Sequence, residues 1–176
     1  VTPVWCCGFE CGVVGHMFVL AGAPTFSTTP VRSGLRSFRC NASGAAVTAR
    51  SPAGVSGQQT ANAVGVPRCY LRFASLPSGN TLLLDSTYVN SCGLWFNASD
   101  SKLYCRSNGV NGLTGIAVTT DIWYLVDMRF TIDATSLLVT VDGKIDGADL
   151  GSAGPGAHGG AGGEWRFGVV AAVTAD

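Results

Sequence analysis

The segment Asp121-Ile-Trp-Tyr-Leu-Val-Asp-Met-Arg-Phe-Thr-Ile-Asp133 decides the fold. In it Ile122, Tyr124, Val126, Met128, Phe130 and Ile132 alternate with Trp123, Leu125, Asp127, Arg129 and Thr131. Successive side chains of a strand point to opposite faces, so a period of two predicts one long strand with an apolar face and a mixed face. No segment of ten or more residues shows a helical period, and no packed helix is required.

Working outward, the same alternation recurs. Leu137, Val139 and Val141 share a face, and Asp142-Gly143 then predicts the tight turn of a hairpin leading into Lys144 and Ile145. Upstream, Pro67 to Ser75 places Cys69, Leu71 and Phe73 on one side and Arg68, Tyr70 and Arg72 on the other. Gly93 to Asn97 and Lys102 to Arg106 predict a second hairpin. Its Leu94, Phe96, Leu103 and Cys105 share a face, with Trp95 and Tyr104 on the opposite one. Glu164 to Val169 alternates again, with Trp165, Phe167 and Val169 inward and Glu164 and Arg166 outward. Ser51 to Gly65 and Gly151 to Gly163, rich in Gly, Ala and Ser, read as long surface loops. About a dozen short strands with one apolar face can bury it only by stacking two sheets or closing a barrel. The expected class is all-β, a two-sheet antiparallel jelly-roll sandwich.

Composition sets the bounds. The chain has 176 residues, the size of one domain spanning 1–176, with 47% hydrophobic residues, 12% charged and 24 glycines. Eleven basic and eleven acidic residues give zero formal charge, and no basic cluster marks a nucleic-acid surface. Between Glu10 and Arg32 there is no Asp, Glu, Lys or Arg, but Gly12, Gly15, Gly22, Pro24 and Pro30 interrupt the tract. It fits neither a membrane span nor a signal peptide, and no membrane partner is expected.

Seven cysteines raise the question of metal or redox chemistry. Cys6, Cys7 and Cys11 are not joined by a Cys-x-x-Cys pair or by a downstream His-x₃₋₅-His. Cys40, Cys69, Cys92 and Cys105 fall mostly on inward strand positions, where cysteine acts as a small hydrophobe. Free thiols are expected, one or two disulfides being the alternative and a metal site the least favoured. The expected metal and cofactor sets are empty.

A resemblance gathers these pieces. Gly8-Phe-Glu10 with Gly12, Ser33-Gly-Leu-Arg-Ser-Phe-Arg39, the Trp123-Tyr124 strand and Val139-Thr-Val-Asp-Gly143 follow the order seen in concanavalin A-like, laminin-G-like jelly-roll domains. The opening Gly-Phe-Glu-x-Gly resembles small domains of this kind in tailed-bacteriophage virion proteins. That implies a decoration, cement or minor structural subunit at the particle surface, touching copies of itself or a capsid or tail protein. The family pattern also runs on past Thr174-Ala-Asp176 into one more apolar strand. The domain is therefore expected to lack a final strand, supplied either by a longer gene product or by a neighbour.

Several enzymes of this fold cleave polysaccharides with two close carboxylates. Here the two glutamates, Glu10 and Glu164, lie at opposite ends of the chain. Asp127 and Asp133 sit about 20 Å apart in an extended strand. His16 and His158 lie in no recognisable triad setting. The expectation is a non-enzymatic protein with no catalytic residues. Asp142 to Asp149 reads better as a hairpin than as a calcium loop. Asn41-Ala-Ser43 and Asn97-Ala-Ser99 match the glycosylation sequon at about the frequency chance gives, and in a virion protein would be silent.

One binding surface remains. Tyr70, Trp95, Tyr104 and Trp123 fall on faces opposite the apolar rows, near Arg72 and Arg106, and rings flanked by guanidinium groups can stack on sugars. These six residues are the candidate glycan site, unless a second sheet or a loop covers them. Two functions follow. The virion structural role accounts for the low charge and is preferred. A carbohydrate-binding module on a tail or baseplate, recognising host-surface glycan, accounts for the aromatics.

Overall fold

The alternating segment is the central strand of the smaller of two packed sheets. The computed structural model describes residues 20–22, 24–41, 45–50, 64–86, 92–133, 135–157 and 165–169. Among them the strands are β1 (Leu20–Ala21), β2 (Thr25–Ser27), β3 (Ser37–Arg39), β4 (Val47–Arg50) and β5 (Val64–Gly65). Next come β6 (Arg68–Arg72), β7 (Thr81–Ser86), β8 (Gly93–Asn97), β9 (Lys102–Ser107) and β10 (Val110–Asn111). The series ends with β11 (Ile116–Ala117), β12 (Trp123–Ile132), β13 (Val139–Ile145), β14 (Ala148–Gly156) and β15 (Trp165–Val169). No helix forms among the described residues.

The larger sheet runs β1-β4-β15-β7-β8-β9-β10, with β11 also on β9, and the smaller runs β14-β13-β12-β5, with β6 also on β12. All of these pairs are antiparallel. β2 and β3 form a separate ribbon. The chain is thus an all-β, two-sheet antiparallel sandwich of jelly-roll type.

Between the sheets the two inner rows meet. Tyr124, Val126, Met128, Phe130 and Ile132 of β12 and Val139, Val141 and Ile145 of β13 are buried. So are Leu84 of β7, Leu94 and Phe96 of β8, and Leu103 and Cys105 of β9, all in the same core. Phe130 packs on Trp165 of β15 at 4.7 Å between ring centroids, tying the sheets together. Each large side chain buried in this way contributes about 1.5–3 kcal/mol.

Several expectations need correction. The turn between β13 and β14 uses Asp146-Gly147, whose φ values of 50° and 84° suit a tight hairpin, and not Asp142-Gly143. Gly143 lies inside β13, where a Cβ would press on Met128 Sδ and Cys105 Sγ, so packing and not a turn calls for glycine there. Likewise Gly151–Gly156 continues β14, and Val64–Gly65 pairs with β12, so parts of both expected loops are strand. Cys6, Cys7, Cys11, Glu10, His16, His158, Glu164 and residues 170–176, on which the missing-strand expectation rested, lie outside the described residues.

Cys40, Cys69, Cys92 and Cys105 are free thiols. Burial pushes Cys40, Cys69 and Cys105 up to about 12. Ionisation is therefore disfavoured in the fold: the stability that these thiols contribute, Cys105 buried and Cys40 and Cys69 half-buried, is fully present below their unfolded pKa and is lost as pH rises through the range from there to about 12. Two outcomes are expected. Near pH 8 the buried Cys105 should react with a thiol reagent about a thousandfold more slowly than an unhindered thiol, and reach full reactivity only in denaturant. The urea midpoint should fall between about pH 8 and pH 10, and should fall less in Cys105→Ala. Fast labelling of the folded protein would contradict this account.

Candidate functional site

Once the inner rows are fixed, the outer faces follow by alternation. The six candidate residues then divide between the two sides of the sandwich. Trp95, Tyr104 and Arg106 point outward from β8 and β9 of the larger sheet. Tyr70, Arg72 and Trp123 point outward from β6 and β12 of the smaller sheet. The core lies between these groups, so they cannot share one ligand.

On the smaller sheet the charges close on one another. Arg68 engages Asp127 and Arg72 engages Asp121. Arg32 lies 4.7 Å over the Tyr70 ring. In register, Arg129 stands opposite Asp142, and Lys144 lies between Asp127 and Asp149. This is a face of alternating, mutually screened charge.

The larger sheet is built differently. Arg166 of β15, Asp85 of β7, Gly93 of β8, Arg106 of β9 and Asn111 of β10 form one lateral row in register, which Arg50 of β4 extends beyond Arg166. Asp85 is fully buried, with 0% exposure, and both its oxygens accept from the Arg166 fork, Nε at 2.8 Å and Nη2 closer still. Burial pushes the Asp85 carboxyl up, and the Arg166 hydrogen bonds and charge, with the Arg50 charge, oppose that shift.

Gly93 shapes the next step. Its φ is +154°, and a Cβ there would overlap the Leu84 carbonyl oxygen beside the irregularity between Leu82 and Leu84, so the backbone requires glycine. A second consequence follows on the outer face. Arg106, registered opposite Gly93, meets no side chain there and leans diagonally onto Trp95. Its guanidinium carbon sits 3.8 Å from the ring centroid, a cation–π contact. Asn111 Oδ1 accepts from Arg106 Nη1 at 2.6 Å. Arg106 Nε is buried without an acceptor, and burial pushes the guanidinium below its ordinary value, though arginine stays charged at neutral pH.

Tyr104 completes the surface beside Trp95. Its Oη donates to Asp100 Oδ2 at 2.5 Å, and that hydrogen bond is the main reason its phenol is pushed up, keeping it a protonated ring at neutral pH. Gly115 lies against this ring, where a Cβ would overlap it. The arrangement presents two adjacent rings, an oriented guanidinium and a buried Arg–Asp pair. It can stack a sugar ring and hold an anionic group. Among the described residues no cluster of three or more His, Cys, Asp or Glu stands ready for a metal ion.

Sequence reasoning placed Arg166 outward without assigning it to a site, and passed over Asp85 and Arg50. The signal for Asp85 was a carboxylate inside Thr81-Leu-Leu-Leu-Asp-Ser86, a run too apolar to leave a charge unpaired.

No family model and no curated protein matches the chain. A solved structure shares its architecture: the endo-beta-1,4-glucuronan lyase of the fungus Trichoderma reesei, with a TM-score of 0.62 and 12% sequence identity, covering 91% of this chain and 82% of that one. At this identity the likeness concerns the fold alone. It nevertheless corrects the expectation of a non-enzymatic chain, because the structure it resembles is that of an enzyme. That expectation was drawn from the lack of a paired-carboxylate pattern and of a triad setting for His16 and His158, which are only some of the ways a sandwich carries chemistry.

The buried pair yields a stability test. Removing one partner of a buried ion pair leaves the other uncompensated, so Asp85→Ala should cost about 3 kcal/mol in urea unfolding. Arg166→Ala should be costly too, and the double variant should lose clearly less than the sum of the two. Strict additivity would mean that the pair contributes nothing as a pair.

Proposed function

We propose that the outer face of the larger sheet binds an acidic polysaccharide, with uronate-bearing β-1,4-linked chains as the first class to test. One observation carries this reading: Arg106 is oriented on Trp95 and hydrogen-bonded to an amide, and among the described residues no carboxylate pairs with it. A sugar ring stacked beside Tyr104 and Trp95 would place an anionic substituent within reach of a charge already desolvated in part. The fold neighbour acts on a glucuronan, which makes that polymer the natural first ligand.

A second reading, an assembly subunit of a virus particle, draws on the apolar side chains that the described surface exposes, Leu35, Val110 and Leu113 among them. It gains ground if purified protein self-associates through these residues and binds no glycan.

The test is calorimetric titration with β-1,4-glucuronan oligosaccharides. Trp95→Ala should weaken binding by about 1–3 kcal/mol, by analogy with ring stacking elsewhere. Arg106→Ala should weaken it by about 2 kcal/mol, and binding should fall with added salt. Trp123→Ala and Arg72→Ala should change nothing. The same incubation, followed for shortening of the polymer, tests whether the face also catalyses. No binding, or losses from Trp123 and Arg72 instead, would overturn the proposal.

A further inference from the structure

On the two sheets Arg68, Arg72, Arg106 and Arg166 each make a side-chain hydrogen bond to another described side chain. Arg68 has Asp127, Arg72 has Asp121, Arg166 has Asp85 and Arg106 has Asn111. The first three are closed by a carboxylate. The fourth has an amide, although Asn111 stands directly opposite Arg106 in register, as Asp127 stands opposite Arg68 and Asp85 opposite Arg166.

An amide oxygen orients a guanidinium much as a carboxylate oxygen does, but it brings no countercharge. Asp85 does not substitute. It lies in the same lateral row, beyond Gly93 and two strands away, about 10 Å at the usual spacing, and both its oxygens are engaged by Arg166. Arg106 therefore keeps a whole positive charge in a partly dry setting, fixed in direction by Trp95 beneath and Asn111 at the side.

We infer that Asn111 is the specificity-determining residue of this face: it positions Arg106 on Trp95 while leaving its charge for an anionic group of the ligand. An aspartate in its place, nearly the same shape, would close the fourth pair and leave a face suited to uncharged sugars. The inference rests on the acidic-glycan reading above and adds to it the residue that sets the preference for charge.

The experiment compares wild type, Asn111→Asp, Asn111→Ala and Arg106→Ala, titrated with β-1,4-linked glucuronic acid oligomers and with β-1,4-linked glucose oligomers as the uncharged counterpart. Asn111→Asp should lower affinity for the charged oligomer about tenfold or more and flatten its salt dependence, with no loss for the uncharged one. Asn111→Ala should lose less and keep the salt dependence, because Arg106 is loosened but not neutralised. A readout independent of any glycan accompanies this: by NMR, the carboxyl that Asn111→Asp introduces should titrate below the usual aspartate range, which shows that the variant folds and pairs with Arg106. If it does so and the charged oligomer still binds as to wild type, while Arg106→Ala loses binding, the inference is overturned and the acidic-glycan reading stands. If Arg106→Ala also binds as wild type, both are overturned.

Discussion

Everything outside the core depends on the contact between two inner rows. Val126, Met128 and Phe130 of the long strand β12 meet Leu94, Phe96, Leu103 and Cys105 of the β8–β9 hairpin across one apolar layer. A shift of either row by one residue would send its whole apolar set to solvent, so the register is firmly held. With that register held, the outward residues have no freedom of placement. Trp95, Tyr104 and Arg106 must leave one side of the sandwich, and Tyr70, Arg72 and Trp123 the other. The candidate surface is thus a by-product of core packing, and core variants in β8 or β9 would disturb it without altering any of its own residues.

The second constraint is electrostatic. A chain with zero formal charge offers no reason to look for an anion-binding surface, because composition averages over faces. The fold undoes the average. On the smaller sheet Arg68, Arg72, Arg129 and Lys144 each stand beside an aspartate. On the larger, Arg166 and Arg106 share one row with Asp85, the carboxylate of that row among the described residues, and both its oxygens are engaged by Arg166. Arg106 has Gly93 and Asn111 as its cross-strand neighbours, neither of which carries a charge.

Local pattern made much of the fold legible. The alternation of Trp123–Ile132, Arg68–Arg72 and the Gly93–Asn97/Lys102–Ser107 hairpin gave strand, face and pairing. Thr81–Ser86 escaped because a central strand covered on both faces has no period to read. The turn at Asp146-Gly147 was displaced onto Asp142-Gly143 because two Asp-Gly pairs lie four residues apart, and only the contacts of Gly143 with Met128 and Cys105 tell them apart. The candidate site was legible residue by residue and illegible as a set. That the aromatics point outward is local information; that β6 and β9 belong to different sheets is not. Asp85–Arg166 joins residues eighty-one positions apart, beyond the reach of any sequence window.

The central claim is that ligand recognition belongs to the outer face of the larger sheet. Chemical-shift mapping during titration with β-1,4-glucuronan oligosaccharides addresses it most directly, because both faces report at once. The account expects the Trp95 indole and the Arg106 Nε–H signals to move together and saturate at one midpoint, while those of Trp123 and Tyr70 stay in place. Movement of Trp123 and Tyr70 with Trp95 and Arg106 unchanged would contradict it.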